Sequence, residues 1–378
     1  MGALDKMTQV IEDRHGYAKG WRERTGGRLA GYLCTYVPEE ILYAGGVLPV
    51  RVLGSHEPED VTAPYIYGMF CTYCRDTLAQ ALLGRYDYLD GLIHGYCCIH
   101  IRQTYDSWLR HAPVPFSYLL YVPDHIESDR AIPHIVSHMG QMKVAVEEWT
   151  GKSITNEALS AAIEVFDTNR RLTQKLYDMQ KGNPPRFAGV DILKVVLASQ
   201  LMDKAEHNKL LEELLAEASQ LPQQEGSNVR LMMVASEMDD LGFVELIESL
   251  GATIVVDDNC VGTRYFLGEV GNSAEPIAAL AQRYARGKPL CPVKDISTRD
   301  RSRPPHVVGL ATDYGVQGVI FARNKFCDPH EYDTPFIIRA LKEKGIPSMV
   351  LECDIVNPLG QFRTRVEAFL EMMRVEAL

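Results

Sequence analysis

Alternation of short apolar segments with amphipathic ones is the feature that most restricts the fold of this chain. The first series consists of predicted strands at 46–54, 88–96 and 115–123 and helices at 71–86 and 100–111. The second consists of predicted strands at 229–236, 252–258, 315–322 and 346–352 and helices at 239–251 and 333–345. Strands that alternate with helices form parallel sheets covered by helices. The pattern predicts an α/β fold of two small doubly wound parallel-sheet domains with additional helices.

The segments outside these two series are predominantly helical. A polar helix is predicted over 5–30, and long amphipathic helices over 156–182, with Thr155 as N-cap, and over 191–221. The polar stretch 221–228 has the composition of a linker. The predicted organisation is a helical lead-in (1–30), a first α/β domain (31–150), a helical connecting region (151–224) and a second α/β domain (225–378).

Charge and hydropathy exclude several classes of protein. The 378 residues include 39 Lys and Arg against 50 Asp and Glu, a net charge of −11. An acidic chain is a poor match for broad nucleic-acid or anionic-membrane binding. No stretch approaches 18 apolar residues, and the N-terminal residues lack the apolar core of a signal peptide. We therefore expect a cytoplasmic protein with no membrane or nucleic-acid partner.

Nine cysteines remain to be explained, because disulfides are rare in the cytoplasm. Cys98 and Cys327 follow predicted strands, and Cys71 begins a predicted helix. Ligands bind beyond the carboxyl ends of parallel strands, so if these three thiols converge, their site lies in the cleft between the domains. Three thiolates with one open position suit an iron–sulfur cluster or a catalytic zinc. The alternative is that they are small buried apolar residues.

The remaining cysteines carry weaker signals. Cys71 and Cys74 form a CxxC pair, which alone is weak evidence for a metal site. Cys97 is adjacent to Cys98, so both can hardly bind one metal ion without strain. A core position is predicted for the others, which are Cys34, Cys260, Cys291 and Cys353.

Several stretches resemble the family of benzoyl-CoA reductase and 2-hydroxyacyl-CoA dehydratase subunits. They are CTYVPEEILYAGGVLPVR (34–51), CTYCRDTLAQALLG (71–84), GYCCIHIRQTYDSW (95–108), FCDPHEYDTPFIIRALKEKGIPSMVLECD (326–354) and GQFRTRVEAFLEMM (360–373). The resemblance implies one [4Fe-4S] cluster held by Cys71, Cys98 and Cys327 in the interdomain cleft. Cys97 departs from the family pattern, in which a small polar residue is common.

Two further stretches look most like benzoyl-CoA reductase, namely 182–196 and 255–266. Within that enzyme the chain resembles the smaller of the two cluster-bearing subunits, which is named C or gamma. This implies an ATP-dependent, ferredoxin-linked reduction of benzoyl-CoA to a cyclohexadiene carboxyl-CoA in anaerobic aromatic degradation. Two alternatives stay open: a subunit of a 2-hydroxyacyl-CoA dehydratase, which is a lyase, and a non-catalytic electron-transfer protein with a double-cubane-type cluster.

The same resemblance implies partners. They are a homologous cluster-bearing subunit, two ATPase or activator subunits that complete a heterotetramer, ferredoxin, and an aromatic acyl-CoA substrate. The GKS at 151–153 is not a P-loop, because Val146 stands where that motif requires glycine. ATP and Mg are accordingly expected on the partner subunits and not on this chain.

Three other features carry weaker functional signals. His330, in CDPHEYD, is a candidate proton donor or part of a structural turn. Glu39 and Glu40 are predicted to be helix N-terminal charges. The basic segment 297–305 is predicted to be a solvated loop, with CoA phosphates or a partner subunit as the alternatives.

Overall fold

Two parallel sheets organise the computed structural model, which describes residues 2–58, 60–220, 229–297 and 300–376. The strands within these residues are β1 Arg28–Tyr32, β2 Val47–Arg51, β3 Gly91–Gly95, β4 Phe116–Leu120, β5 Val229–Ala235, β6 Ala252–Asp258, β7 Gly318–Asn324 and β8 Ser348–Cys353. The strand order is β2-β1-β3-β4 in the first sheet and β6-β5-β7-β8 in the second. Every pair of adjacent strands is parallel. The predicted α/β architecture is thus confirmed.

Helices cover both sheets and bury most of the strands, whereas β4 and β8 are mostly half-buried. Those helices are α1 Ala3–Glu12, α2 Arg14–Thr25, α3 Glu39–Ala44, α4 Thr72–Leu82, α5 Ile99–His111, α6 Ala131–Thr150, α7 Asn156–Met179, α8 Gly189–Leu201, α9 Lys204–Gln220, α10 Leu241–Ser249, α11 Thr263–Phe266, α12 Pro276–Gln282, α13 Arg303–Asp313, α14 Asp328–Glu343 and α15 Leu359–Glu376. A π-helical turn, Arg283–Gly287, follows α12. β2, β3 and β6 are buried throughout, as parallel strands between helices should be.

The N-terminal prediction was wrong in two respects. The lead-in is two helices that meet at Asp13, and its last residues belong to β1, a strand that the apolar pattern did not predict. α2 ends at Gly26, whose φ of 67° turns the chain into the strand. Arg28 and Gly31 interrupt the apolar pattern of this short strand, which explains why it was not recognised.

The helical segment between the two sheets has one more break than predicted. The pattern over 191–221 forms α8 and α9, which are separated at Met202 and Asp203. The Asp203 carboxylate accepts hydrogen bonds from the backbone N–H groups of Ala205 and Glu206, so it caps the start of α9. Thr155 is the N-cap of α7, as predicted, and its hydroxyl accepts from the Ala158 N–H at 3.2 Å. The predicted linker 221–228 lies outside the described residues, and the domain bounds stay a prediction.

The carboxyl ends of the two sheets approach each other. Arg51 at the end of β2 forms an ion pair with Glu237, which follows β5. Both side chains are buried, at 0% and 8% exposed. At the end of β3, Gly95 lies against the chain that follows β1: a Cβ there would lie 2.7 Å from the Tyr36 carbonyl carbon. The absence of a side chain at Gly95 therefore brings the cysteine-bearing segments after β1 and β3 together.

Candidate functional site

A cavity lined by cysteines lies where the carboxyl ends of the two sheets meet. Its volume is about 50 Å³, and its walls come from segments after β1, β3, β5, β6 and β7. The lining cysteines are Cys34, Cys71, Cys97, Cys98, Cys260, Cys291 and Cys327. The structure therefore brings the three predicted ligands, Cys71, Cys98 and Cys327, to one site.

These three thiols occupy equivalent positions in the fold. Cys71 is the N-cap of α4, Cys98 of α5 and Cys327 of α14. A helix N-terminus carries unpaired N–H groups and a partial positive charge, both of which stabilise a thiolate. The cavity is thus built to hold negative charge on sulfur.

Cys71 has two polar neighbours. Its Sγ lies 3.3 Å from the Sγ of Cys74, one turn into α4, and this contact lowers the pKa of Cys71 to about 6 in spite of burial. A hydrogen bond with His100 acts in the same direction. Burial raises the pKa of Cys74 well above its ordinary value, so Cys74 is the protonated member of the CxxC pair.

Cys97 and Cys98 differ in their surroundings. Cys97 is buried and hydrogen-bonded to Cys34, a contact that raises the pKa of Cys97 and lowers that of Cys34 to about 6. Cys98 is half-buried and occupies the N-cap position of its helix, as Cys71 and Cys327 do. This difference favours Cys98 over Cys97 as the third ligand, and the assignment stays a prediction.

Cys327 follows a strained residue. Phe326 has φ of 62°, in the left-handed region that costs free energy for a bulky side chain. Burial, followed by the charges of Cys71 and Cys98, raises the pKa of Cys327 well above its ordinary value. The electrostatic influence of these two cysteines is consistent with one compact group of three thiols.

His330 also lines the cavity, from the first turn of α14. Its Nδ1 lies 3.3 Å from the Cys327 Sγ, and its Nε2 is buried with no hydrogen-bond partner among the described residues. Burial lowers the pKa of His330 well below its ordinary value, which keeps the imidazole neutral. A neutral imidazole offers one N–H for hydrogen bonding and no extra proton. The role of His330 as proton donor stays a prediction.

Cys34, Cys260 and Cys291 are functional candidates for which the sequence predicted a core position. Cys34 is buried, whereas Cys260 and Cys291 are half-buried, and all three face the cavity. For Cys260 a signal existed, because it follows the predicted strand 252–258 by two residues. The core prediction is confirmed for Cys34 and Cys353, which are 7% and 1% exposed within the apolar core.

Two basic side chains, Arg264 and Lys288, lie near this second group of thiols, which consists of Cys34, Cys260 and Cys291. The Arg264 guanidinium lies 3.4 Å from the Cys260 Sγ. Lys288 is buried, and its ammonium donates to the Thr35 carbonyl at 2.9 Å. Burial lowers the pKa of Lys288 to about 7, while Cys34, Cys260 and Cys291 oppose that shift. The cavity therefore has positive groups available to balance charge on these sulfurs.

The donor set around the cavity consists mainly of thiols, which are the ligands of iron–sulfur clusters. Within the described ranges, no three His, Cys, Asp or Glu side chains are grouped closely enough to hold one ion. In a cubane cluster each cysteine binds a different iron, so its thiolates stand farther apart than the ligands of one ion do. Cys71, Cys98 and Cys327 stand at three helix N-termini around one cavity, and they are the residues that would hold such a cluster.

The basic segment 297–305 is not the solvated loop that was predicted. Thr298 and Arg299 lie outside the described residues, but Arg301 and Arg303 are buried and both pair with Asp333 of α14. Arg303 also pairs with Asp258 at the end of β6. These two arginines fix the helix that carries Cys327, so neither of them is available to a CoA phosphate.

Glu39 and Glu40 begin α3, as predicted, but they are buried and paired. Glu40 forms an ion pair with Arg170 of α7 and accepts a hydrogen bond from the Tyr284 hydroxyl at 3.1 Å. Glu39 accepts from the Tyr265 hydroxyl at 3.1 Å. Their partners lie on α7, α11 and the π-helical turn, so both carboxylates tie the first sheet to the helices around the second.

The fold and the site together define an α/β chain with a thiol-lined cavity at the meeting point of two parallel sheets. No helix in the described part of the chain is long and apolar enough to cross a membrane. The chain belongs to the family described as 2-hydroxyglutaryl-CoA dehydratase, D-component, whose sequence model matches residues 34–373. This membership confirms the resemblance drawn from the sequence.

Similar proteins of this family have different activities. The C subunit of the benzoyl-CoA reductase of Thauera aromatica is 26% identical over 335 residues, which cover 87% of this chain and 86% of that protein. The (R)-phenyllactyl-CoA dehydratase beta subunit of Clostridium sporogenes is 27% identical over 380 aligned positions, 98% of each chain. The beta subunit of (R)-2-hydroxyglutaryl-CoA dehydratase of Acidaminococcus fermentans is 26% identical over 353 residues, which cover 92% of this chain and 93% of that protein. Such relatives are enzyme subunits, and reductase and dehydratase subunits match almost equally well.

Proposed function

We propose that this chain is the iron–sulfur subunit of an ATP-dependent benzoyl-CoA reductase and holds one [4Fe-4S] cluster through Cys71, Cys98 and Cys327. The observation that carries the proposal is the convergence of these thiols, each at a helix N-terminus, on one cavity. Once bound, the cluster supplies electrons one at a time at low potential.

The chain's own residues have three tasks in this function. The three thiolates bind the irons, and the helix N-termini stabilise the negative charge that accumulates there. Buried walls around the cysteines, such as Tyr73 and Ile101, exclude water and keep the surroundings of low polarity, which favours a low reduction potential. The paired Arg301, Arg303 and Asp333 fix α14, and with it Cys327.

The proposed partners supply what this chain lacks. They are a homologous cluster-bearing subunit, two ATPase subunits that bind ATP and Mg, ferredoxin as electron donor, and an aromatic acyl-CoA as substrate, all in the cytoplasm. The support comes from relatives named as subunits, which act within larger enzymes. Co-purification of the chain with its genomic neighbours tests this composition.

A 2-hydroxyacyl-CoA dehydratase subunit is the alternative within the same family. The observation that favours it is the alignment with the (R)-phenyllactyl-CoA dehydratase beta subunit, which extends over 98% of the chain against 87% for the reductase subunit. The test is an anaerobic assay of the reconstituted complex with ATP, using benzoyl-CoA and 2-hydroxyacyl-CoA esters in parallel. Ring reduction supports the proposal, and loss of water from the hydroxyacyl ester without ring reduction overturns it.

A second function, electron transfer through a larger double-cubane-type cluster, is favoured by the other cavity thiols. Three further sulfurs line the same cavity, those of Cys34, Cys260 and Cys291. Iron and sulfide analysis of the anaerobically purified chain separates the two proposals. About four irons per chain support the single cluster, and about eight support the larger one.

A further inference from the structure

Glu237 lies between the thiol cavity and a second, acidic cleft. It follows β5 directly and lines both spaces. The cleft is also lined by His56, Asp76, Asp239 and Asp354, on segments from both sheets. Glu237 is therefore a carboxyl group in the wall that separates the sulfurs from this cleft.

The two carboxyl oxygens of Glu237 have different surroundings. Oε1 pairs with the buried guanidinium of Arg51. Oε2 is buried and has no hydrogen-bond partner among the described residues, and the side chain is only 8% exposed. A buried polar atom without a partner costs free energy and is rare in folded proteins. A proton on Oε2 would relieve that cost by removing the charge.

The charged and titratable groups around Glu237 are known from every element packed against it. They are Arg51 at the end of β2, Cys34 after β1, Tyr73 of α4, Asp239 on its own loop, Cys260 after β6, Arg264 of α11 and His56 across the cleft. Burial raises the pKa of Glu237 to about 8, although Arg51 opposes the shift. Cys34 and Asp239 act in the same direction as burial.

Asp239 and His56 line the same cleft as this carboxyl group and pair with each other. The Asp239 Oδ1 lies 3.0 Å from the His56 Nε2, and the His56 side chain is 34% exposed. Asp239 is two residues from Glu237, and both line the cleft. The cleft thus places a partly exposed imidazole and its carboxylate partner in the same space that Glu237 lines.

We propose that Glu237 is a proton-exchanging residue of the thiol cavity, which takes up a proton from the cleft as the cavity gains an electron. The inference rests on the proposed function, because it needs an electron-accepting iron–sulfur group at the cysteines. One electron enters from an external low-potential donor, and one proton from water binds Glu237 Oε2. Both leave on reoxidation, and the only bond made or broken on the protein is that O–H bond.

Potentiometry of the anaerobic, cluster-loaded chain tests the proposal. The midpoint potential, followed by visible absorption with dithionite as reductant, should fall as the pH rises above about 8, where Glu237 is ionised before the electron enters. A tenfold change in proton activity corresponds to about 59 mV for a one-electron couple. Glu237→Gln should flatten this slope, whereas Glu352→Gln, which removes an exposed carboxylate at the end of β8, should keep it. A flat profile in the wild type, or an unchanged slope in Glu237→Gln, overturns the proposal.

A cluster-free measurement separates this proposal from the proposed function. Infrared spectra of the apoprotein with 13C-labelled glutamate should show a protonated carboxyl band that is lost as the pH rises above about 8 and that is missing from Glu237→Gln. A Glu237 contribution that does not change between pH 7 and pH 10 overturns the proposal without any bearing on the cluster. If the wild type fails to bind iron under reconstitution, the proposed function fails and the proton exchange fails with it. The iron content distinguishes that case from a loaded chain with a flat pH profile.

Discussion

At the scale of single residues, the cavity is formed by cysteines from segments that are far apart in the chain. Cys71, Cys98 and Cys327 were candidate ligands because each stands at a strand end or helix start, and they line one cavity. Cys34 and Cys291 belong to segments without a distinctive strand or helix signal, so their approach to the same cavity follows only from the packing of the two sheets. The neutral state of His330 likewise depends on burial, which no local pattern encodes.

Replacement of the proposed ligands should remove iron. Cys71→Ser, Cys98→Ser and Cys327→Ser should each lower the iron content of the anaerobically purified chain several-fold, because a hydroxyl is a poor substitute for a thiolate. Cys353→Ser is the matched control, since that thiol is buried in the core and does not line the cavity. Full iron content and an unchanged spectrum in Cys327→Ser would contradict the assignment.

The ion pair between His56 and Asp239 should make stability depend on pH in the alkaline range. The Asp239 carboxylate raises the pKa of His56 to about 10, from an ordinary value of 6.5. A raised pKa in the folded state contributes stability that is complete below the unfolded pKa and is lost as the pH approaches the folded pKa. The difference in unfolding free energy between wild type and His56→Gln should therefore be largest near pH 6 and should decline to a constant value above about pH 10.

Urea titrations at several pH values measure this difference. His125→Gln serves as the control, because His125 is exposed and its Glu127 partner is exposed too. A difference that stays constant from pH 6 to pH 10 would show that the pair makes no net contribution.

At the scale of secondary structure, predictions were accurate where the apolar pattern was strong and the end signals were clear. β6 occupies the predicted range 252–258, and Gly251 and Gly345 follow α10 and α14 with positive φ. The errors have local causes. β1 is short and contains Arg28 and Gly31, and the break at Asp203 replaces one long helix by two because a side-chain cap competes with the helical hydrogen bonds.

The N-cap of α7 offers a test at this scale. Thr155→Ala removes the acceptor for the Ala158 N–H and should lower the unfolding free energy by about 1 kcal/mol. Lys175→Ala, at an exposed position of the same helix, should change it by less than about 0.5 kcal/mol. Chemical denaturation followed by circular dichroism measures both, and equal effects would indicate that Thr155 does not cap the helix.

The buried ion pairs of Asp333, which fix α14, should contribute more to stability than the Thr155 cap does. Asp333→Asn leaves the buried guanidinium groups of Arg301 and Arg303 without their shared carboxylate, and loss of one partner of a buried ion pair costs about 3 to 5 kcal/mol. Because α14 carries Cys327, iron content should fall together with stability. Glu343→Gln, at the exposed end of α14, is the control and should change neither. Normal unfolding and full iron content in Asp333→Asn would contradict the anchoring role.

At the scale of the whole molecule, the architecture followed from the sequence but the relation between the two sheets did not. Alternation of strands and helices is a local property and predicts each parallel sheet separately. The contact between them depends on buried pairs from distant segments, such as Arg51 with Glu237 and Glu40 with Arg170. No spacing in the sequence reveals such pairs, although they determine where the cavity lies and which cysteines face it.

The way the cavity is enclosed predicts how the loaded chain responds to oxygen. Cys98 and Cys327 are only half-buried, so one side of the cavity is within reach of small oxidants. With three thiolate ligands, one iron of a [4Fe-4S] cluster has an exchangeable ligand and should be attacked first. In air, the iron–sulfur absorption should bleach within minutes, without substrate, and activity of the complex should fall at the same rate. Absorption that survives for hours would instead favour a fully ligated cluster. In that case Cys34→Ser, Cys260→Ser and Cys291→Ser would be tested in turn, and a variant whose absorption bleaches in air would identify an additional ligand.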